Sequence, residues 1–111
     1  MFGMNVKEID ASQLAKWVDE AGHKMRVIDV RQMEEIRMGT VPKAEPLPLH
    51  MLPIKVNELP KDEKLVMVCR SGARSAQACM FLQQHGFSNV YNLRGGMMGW
   101  VQSGFPAYQL G

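Results

Sequence analysis

The stretch "CRSGARS", residues 69 to 75, directly follows the apolar run "LVMV" and collects what a nucleophilic sulfur needs. A thiol attacks as its thiolate, and an ordinary cysteine is only about 3% ionised at neutral pH. Here Arg70 and Arg74 bring two permanent cations, and Gly72 lets the backbone curl so that successive N–H groups face inward. A helix starting after Gly72 adds its unpaired N–H groups at the same point. Ser71 and Ser75 supply hydroxyl donors, and Ser75 also suits the first turn of that helix. The expected product is an anion-binding cradle with Cys69 at its floor, able to hold a dianion or a negatively charged sulfur adduct. Reading Cys69 as a buried apolar spacer leaves this concentration of donors without a purpose.

The elements on either side must hold that loop in place. "KLVMVC", 64 to 69, is the clearest buried strand, and the pattern from Ala73 or Arg74 to His85 is helical, with Gly86 and Phe87 as a left-handed cap and its apolar contact. Asp10 followed by Gln13 is a capping-box pattern, opening a helix through Leu14, Trp17, Val18 and Ala21 that Gly22 closes. "RVIDVR", 26 to 31, and "SNVYNL", 88 to 93, read as further strands. "QMEEIRMG" reads as a short helix with Glu34 and Glu35 in its first turn and Gly39 as its stop. Residues 40 to 64 hold five of the six prolines, so they form a connector, with a short helix expected around Ile54 to Glu58. "RGGMMGWVQSG" is a turn leading into a last short helix, with Gly95 and Gly96 in the turn so that Trp100 packs. Strands separated by helices pair in parallel, so the expected class is α/β, with its binding crevice beyond the carboxyl ends of the strands. Cys69 sits at one of those ends.

The totals narrow the function. At 111 residues the expectation is one domain over 1–111 with one core, and 46% apolar with 22% charged residues is ordinary for a soluble globular protein. A net charge of +2, with no basic block, points to neither nucleic acid nor membrane. The start "MFGMNVKEID" has no secretory pattern, and a cytoplasmic location is expected. Cys69 and Cys79 lack metal-ligand spacing, and His23, His50 and His85 are scattered, so neither metal nor cofactor is expected. The ten methionines read as adaptable core filler.

Three segments carry a resemblance to a known family. "CRSGARS" after an apolar strand resembles the active-site loop of rhodanese-like sulfurtransferases. "VIDVRQMEEIRMGTVPKA" resembles their upstream signature, Asp-Val-Arg, then a Glu, then Gly-His-Ile-Pro-Gly-Ala; here the last part reads Gly39-Thr40-Val41-Pro42-Lys43-Ala44. "NLRGGMMGW" resembles their Leu-x-Gly-Gly-x-x-x-Trp element, and all three occur in the family's order. The resemblance implies a rhodanese-like fold: a central parallel sheet of about five strands, flanked by helices on both faces. It implies that Cys69 accepts a sulfane sulfur as a persulfide, with Arg70, Ser71, Gly72, Ala73 and Arg74 supplying amides and charge to an anionic donor such as thiosulfate. A thiol, cyanide or a sulfur-carrier protein then takes the sulfur.

Other readings of the same residues make distinct predictions. Cysteine-dependent phosphatases hold phosphate in Cys-x5-Arg, but Arg74 follows Cys69 after four residues, a ring one residue too small for a phosphate or arsenate positioned in front of the sulfur. A non-catalytic persulfide carrier or a redox sensor would use the same low-pKa thiol. Cys79, ten residues on along a helix, is too far to resolve an oxidised Cys69 and is expected to be a packed helix thiol. Asp29 and Arg31 are supporting charges at the rim, with Arg31 and Glu35 expected to brace each other at helical spacing, and His85 is expected at a helix C-terminus.

Overall fold

A computed structural model describes residues 5–20 and 24–109. Five strands, β1 (Lys7–Ile9), β2 (Met25–Asp29), β3 (Glu45–Pro46), β4 (Lys64–Val68) and β5 (Val90–Leu93), form one sheet in the order β1-β5-β4-β2-β3. Every pairing is parallel. All carboxyl ends therefore open on one rim, and β4 lies in the middle, with Val68 in register with Asp29 of β2. That geometry puts Cys69, the next residue, at the centre of the rim.

Side chains alternate across each strand, so the two faces of the sheet carry separate cores. On one face Ile28, Leu65 and Met67 pack with Leu52, Val56, Ala78, Cys79 and Leu82, from the connector and from helix α4 (Ala73–Gln84). On the other, Val27, Val66 and Val68 pack with Leu14 and Trp100, from α1 (Ala11–Asp19) and α5 (Gly96–Gln102). Helices thus cover both faces, as the resemblance implies.

The local signals account for most element ends. Asp10 caps α1, its carboxylate accepting the Gln13 amide at 2.8 Å. This helix ends at Asp19; the expected continuation to Ala21 and the stop at Gly22 lie outside the described residues. Helix α2 (Met33–Met38) opens on a reciprocal capping box between Gln32 and Glu35 and ends at Gly39. At the end of α4, Gly86 is left-handed at φ 89°, and the Phe87 amide returns to the Leu82 carbonyl at 3.0 Å, the expected cap. The connector coils earlier than expected, through a 3₁₀ turn at Leu49–Met51, α3 (Leu52–Lys55) and a second 3₁₀ turn at Val56–Glu58. Two strands, β1 and β3, go beyond those read from local pattern. Pro46 is tolerated in β3 because that strand lies at the sheet edge, where Glu45 also takes a two-pronged ion pair from Arg26 at 2.6 and 2.8 Å.

No described helix is long and apolar enough to cross a membrane.

Candidate active site

The loop after β4 turns sharply into α4 because Gly72 is left-handed at φ 108°, a conformation that costs a side-chain-bearing residue about 1 to 2 kcal/mol. This curl aims the Gly72 amide at Cys69 Sγ, 3.1 Å away, and one turn into α4 the Ser75 hydroxyl reaches the same sulfur at 3.3 Å. Cys69 is 1% exposed, so the sulfur is sunk beneath its loop with donors turned toward it. Burial pushes the thiol up. Hydrogen bonds from the Ser75 hydroxyl and from the Ser75, Gly72 and Ser71 amides outweigh that effect, and the net displacement is below the ordinary thiol value. Cys79 has no such ring: burial, with Glu8 nearby, pushes it up to about 12. It is the packed helix thiol expected.

The last helix shapes the loop from outside. The Met97 amide donates to the Cys69 carbonyl at 2.8 Å, and the Met98 amide to the Arg70 carbonyl at 3.0 Å. In a trans peptide, C=O and N–H point to opposite sides, so pinning the Arg70 carbonyl on α5 turns the Ser71 N–H toward the sulfur. That approach needs a residue without a side chain. Gly96 has φ 56°, and a Cβ there would stand 2.4 Å from the Cys69 carbonyl oxygen and 2.5 Å from the Arg70 carbonyl carbon. Gly96 therefore does more than make the turn for Trp100.

Behind the sulfur lies a residue that local pattern did not single out. Asn92, 2% exposed on β5, accepts from the Ser75 hydroxyl through Oδ1 and donates through Nδ2 to the Gly72 carbonyl at 3.1 Å and to Glu8 Oε2 at 3.0 Å. The Ser75 hydroxyl thus has one proton and two acceptors, Asn92 Oδ1 and Cys69 Sγ. A polar residue in an otherwise apolar buried strand was the available signal for Asn92.

The rim charges differ from expectation in one pairing. Arg31 does not brace Glu35: it binds Asp29 two residues earlier, with Nε at 3.0 Å and Nη2 at 2.7 Å, and Nη2 also reaches the Gly39 carbonyl at 2.7 Å. Thr40 donates to Asp29 as well, at 2.7 Å, completing a buried and satisfied cluster. Glu35 is left to α4, where it takes both terminal nitrogens of Arg74 at 2.8 and 3.0 Å. The i, i+4 geometry lost because the rigid Asp29 fork lies nearer to Arg31 and is shielded from water, which strengthens the pair. Of the two loop arginines, Arg74 is thus held by Glu35. The exposed Arg70 guanidinium has no hydrogen-bond or ion-pair partner among the described residues. His85 lies at the end of α4, Nδ1 donating to the Phe81 carbonyl at 2.9 Å. Among the described residues no group of three or more His, Cys, Asp or Glu is placed to hold a metal ion.

Comparison with known proteins agrees with this architecture. A sulfurtransferase of Allochromatium vinosum is 44% identical over 101 residues, spanning 91% of this chain and 94% of that one. YtwF of Bacillus subtilis is 40% identical over 97 residues, 87% and 92% of the two chains. The crystal structure of a rhodanese-related protein from Thermoplasma volcanium superposes with a TM-score of 0.84 at 30% identity, covering 94% of this chain and 99% of that one. The model of the rhodanese-like domain matches residues 10–103, from the cap of α1 to just past α5. With the sheet order, the loop and the sequence relationship in agreement, this chain belongs to the rhodanese-like domain family.

Proposed function

We propose that this chain is a single-domain sulfurtransferase that carries a sulfane sulfur on Cys69. The observation that supports this most directly is the sulfur at the floor of a donor ring, with the Gly72 amide at 3.1 Å and the Ser75 hydroxyl at 3.3 Å. With thiosulfate as donor, the Cys69 thiolate attacks the outer sulfur. A new S–S bond forms, the old one breaks, and sulfite leaves with its electron pair. The Ser71, Gly72 and Ser75 amides already face the sulfur; with the neighbouring loop amides of Arg70, Ala73 and Arg74 they receive the added sulfur, and the free Arg70 guanidinium receives the incoming dianion. In the second half-reaction a thiol, cyanide or a carrier protein's cysteine attacks the outer sulfur and restores the Cys69 thiolate. This two-stage exchange predicts ping-pong kinetics. We place the reaction in the cytoplasm, where thiols remain reduced.

The test is an intact mass after incubation with thiosulfate and removal of small molecules. One added sulfur, about 32 Da, is expected in the parent protein and in Cys79→Ser, and none in Cys69→Ser. A protein that loads but turns over slowly with every small acceptor is a carrier. One that forms sulfenate with peroxide and takes up no sulfur is a sensor, and one that releases phosphate from an aryl phosphate is a phosphatase.

A further inference from the structure

We propose that a cleft beside the loop selects the sulfur acceptor, and that it favours a small organic thiol with an apolar body and an anionic end. The proposal rests on the sulfurtransferase reading and specifies the substrate of its second half-reaction. The cleft, about 500 Å³, lies between α2, the Cys69 loop and α5, within the usual size range of small-molecule sites. Its walls are unusually apolar for open surface: Met38 is 76% exposed, Met98 47% and Val101 54%. These are three of the six large apolar side chains left exposed among the described residues, gathered at one place. Met98 and Val101 lie three positions apart on α5, so they share one face of that helix, and Met97 closes the floor. Clustered exposed apolar surface marks binding, and methionine adapts its shape to what it meets.

The charges at the cleft define the other half of the ligand. Arg31 is committed to Asp29, and Glu35 to Arg74. That leaves Arg70, exposed and unpartnered among the described residues, as the cation facing a bound molecule. An apolar wall beside one free guanidinium complements an amphiphilic anion. The Met97 and Met98 amides fix the cleft against Cys69 and Arg70 themselves, so a molecule seated there adjoins the loop over the reacting sulfur. Thiosulfate has no apolar surface to offer these walls, so the loading step gains nothing from them. The acceptor step does. There the acceptor thiolate attacks the outer sulfur of the Cys69 persulfide, the bond from that sulfur to Sγ breaks, and the electron pair returns to Sγ as thiolate. The acceptor leaves as a persulfide anion carrying the transferred sulfur and its charge, so charge and electrons balance and no external oxidant or reductant is needed.

The experiment loads the protein with thiosulfate, removes the excess, and follows loss of the extra sulfur by mass on mixing with ω-mercaptoalkanoates of three to eight carbons. Their thiol acidities are nearly constant, so chain length reports apolar contact. The discharge rate constant is expected to rise about twofold per methylene, half the free energy of full burial, until the cleft is filled. An ω-mercaptoalkanol of equal length is expected to lag severalfold at low salt and to converge with the carboxylate at high salt. Val101→Ser, and separately Met38→Gln on the opposite wall, should flatten the chain-length slope while leaving thiosulfate loading unchanged. Rates independent of chain length in a protein that loads normally, or a slope that survives both substitutions, overturn the cleft proposal alone. Failure to load at all overturns both the cleft and the sulfurtransferase reading.

Discussion

Replacing Ser75 by Ala isolates the contribution of one donor to the reactivity of Cys69. The hydroxyl stands 3.3 Å from Sγ and shares its single proton with Asn92 Oδ1. A hydrogen bond to a charged group is worth about 1.5 to 3 kcal/mol, and a shared proton places Ser75 at the lower end. About 1.5 kcal/mol is close to a tenfold loss of thiolate on the acid side of the titration. The thiolate that does form is more basic and hence more nucleophilic, with a Brønsted coefficient of about 0.4. Combining the two, the rate of reaction with a small uncharged disulfide falls about fourfold on the acid limb and rises about 2.5-fold on the alkaline plateau. The two pH–rate profiles therefore cross. The variant also leaves Asn92 Oδ1 buried without its donor, costing about 1 to 3 kcal/mol of stability, so rates are measured well below the unfolding transition. A loosened loop would lower both limbs together. Profiles that superimpose, or fall in parallel, would refute the assignment of Ser75 as a thiolate donor.

Gly96→Ala places a methyl against the Cys69 and Arg70 carbonyls; we expect a loss of more than about 2 kcal/mol in denaturant unfolding, together with a thiol that titrates higher because α5 no longer orients the loop. Lys43 is held at φ 69°, the one side-chain-bearing described residue with positive φ. Lys43→Gly should therefore stabilise by about 0.5 to 1 kcal/mol, strain relief exceeding the added chain entropy, and raise Tm by a few degrees in calorimetry. The bond from Arg74 holds Glu35 down to about 2, against the opposing effect of its burial. A carboxylate lowered on folding stabilises above its ordinary value of 4.5 and loses that contribution as the pH falls from there towards 2. Because the two side chains are 31% and 36% exposed, solvent screening reduces the contribution to about 1 kcal/mol. The urea midpoint of Glu35→Gln should thus trail the parent at neutral pH and meet it near pH 2 to 3; a constant gap would disprove the linkage. Arg70→Ala should raise the KM for thiosulfate with little change in stability, while Arg74→Ala should lower the unfolding midpoint as well; identical behaviour would mean that Glu35 does not divide their roles.

What the chain reveals locally and what it conceals follow from how far apart the partners lie. The caps at Asp10 and Gly86, and the strands 25–29, 64–68 and 90–93, depend on residues within one turn or one alternating run, and they were legible. Strands β1 and β3 are three and two residues long; no periodicity fits in so short a run, and β1 becomes a strand only by pairing with β5, Lys7 opposite Tyr91. The loop from Cys69 to Ser75 was legible as a set of donors around a thiol because those donors lie within one short stretch of chain. Glu35 and Arg74, 39 positions apart, did not announce their pairing, and a local helical rule suggested the wrong partner. Asn92 was hidden for the same reason, since its partners come from two distant segments, Glu8 from β1 and Gly72 and Ser75 from the loop and first turn after β4.

The positions where the chain departs from the family's upstream signature show how one rim can be built with different residues. Thr40, standing where the resembling pattern has His, donates to Asp29 at 2.7 Å and exchanges two backbone bonds with Tyr108, at 2.8 and 2.9 Å. The Asp29–Arg31 pair is thereby satisfied in a buried place where an orphaned charge would cost several kcal/mol. With Arg31 committed there, Glu35 is available to Arg74, and with Arg74 committed in turn, Arg70 is the loop guanidinium left for an incoming anion. The charge presented at the mouth of the site is therefore set two pairings away, at Asp29. A substitution at that buried carboxylate would release Arg31 to compete for Glu35, and its effect would be carried to the loop through a rearranged set of ion pairs without any contact with the sulfur.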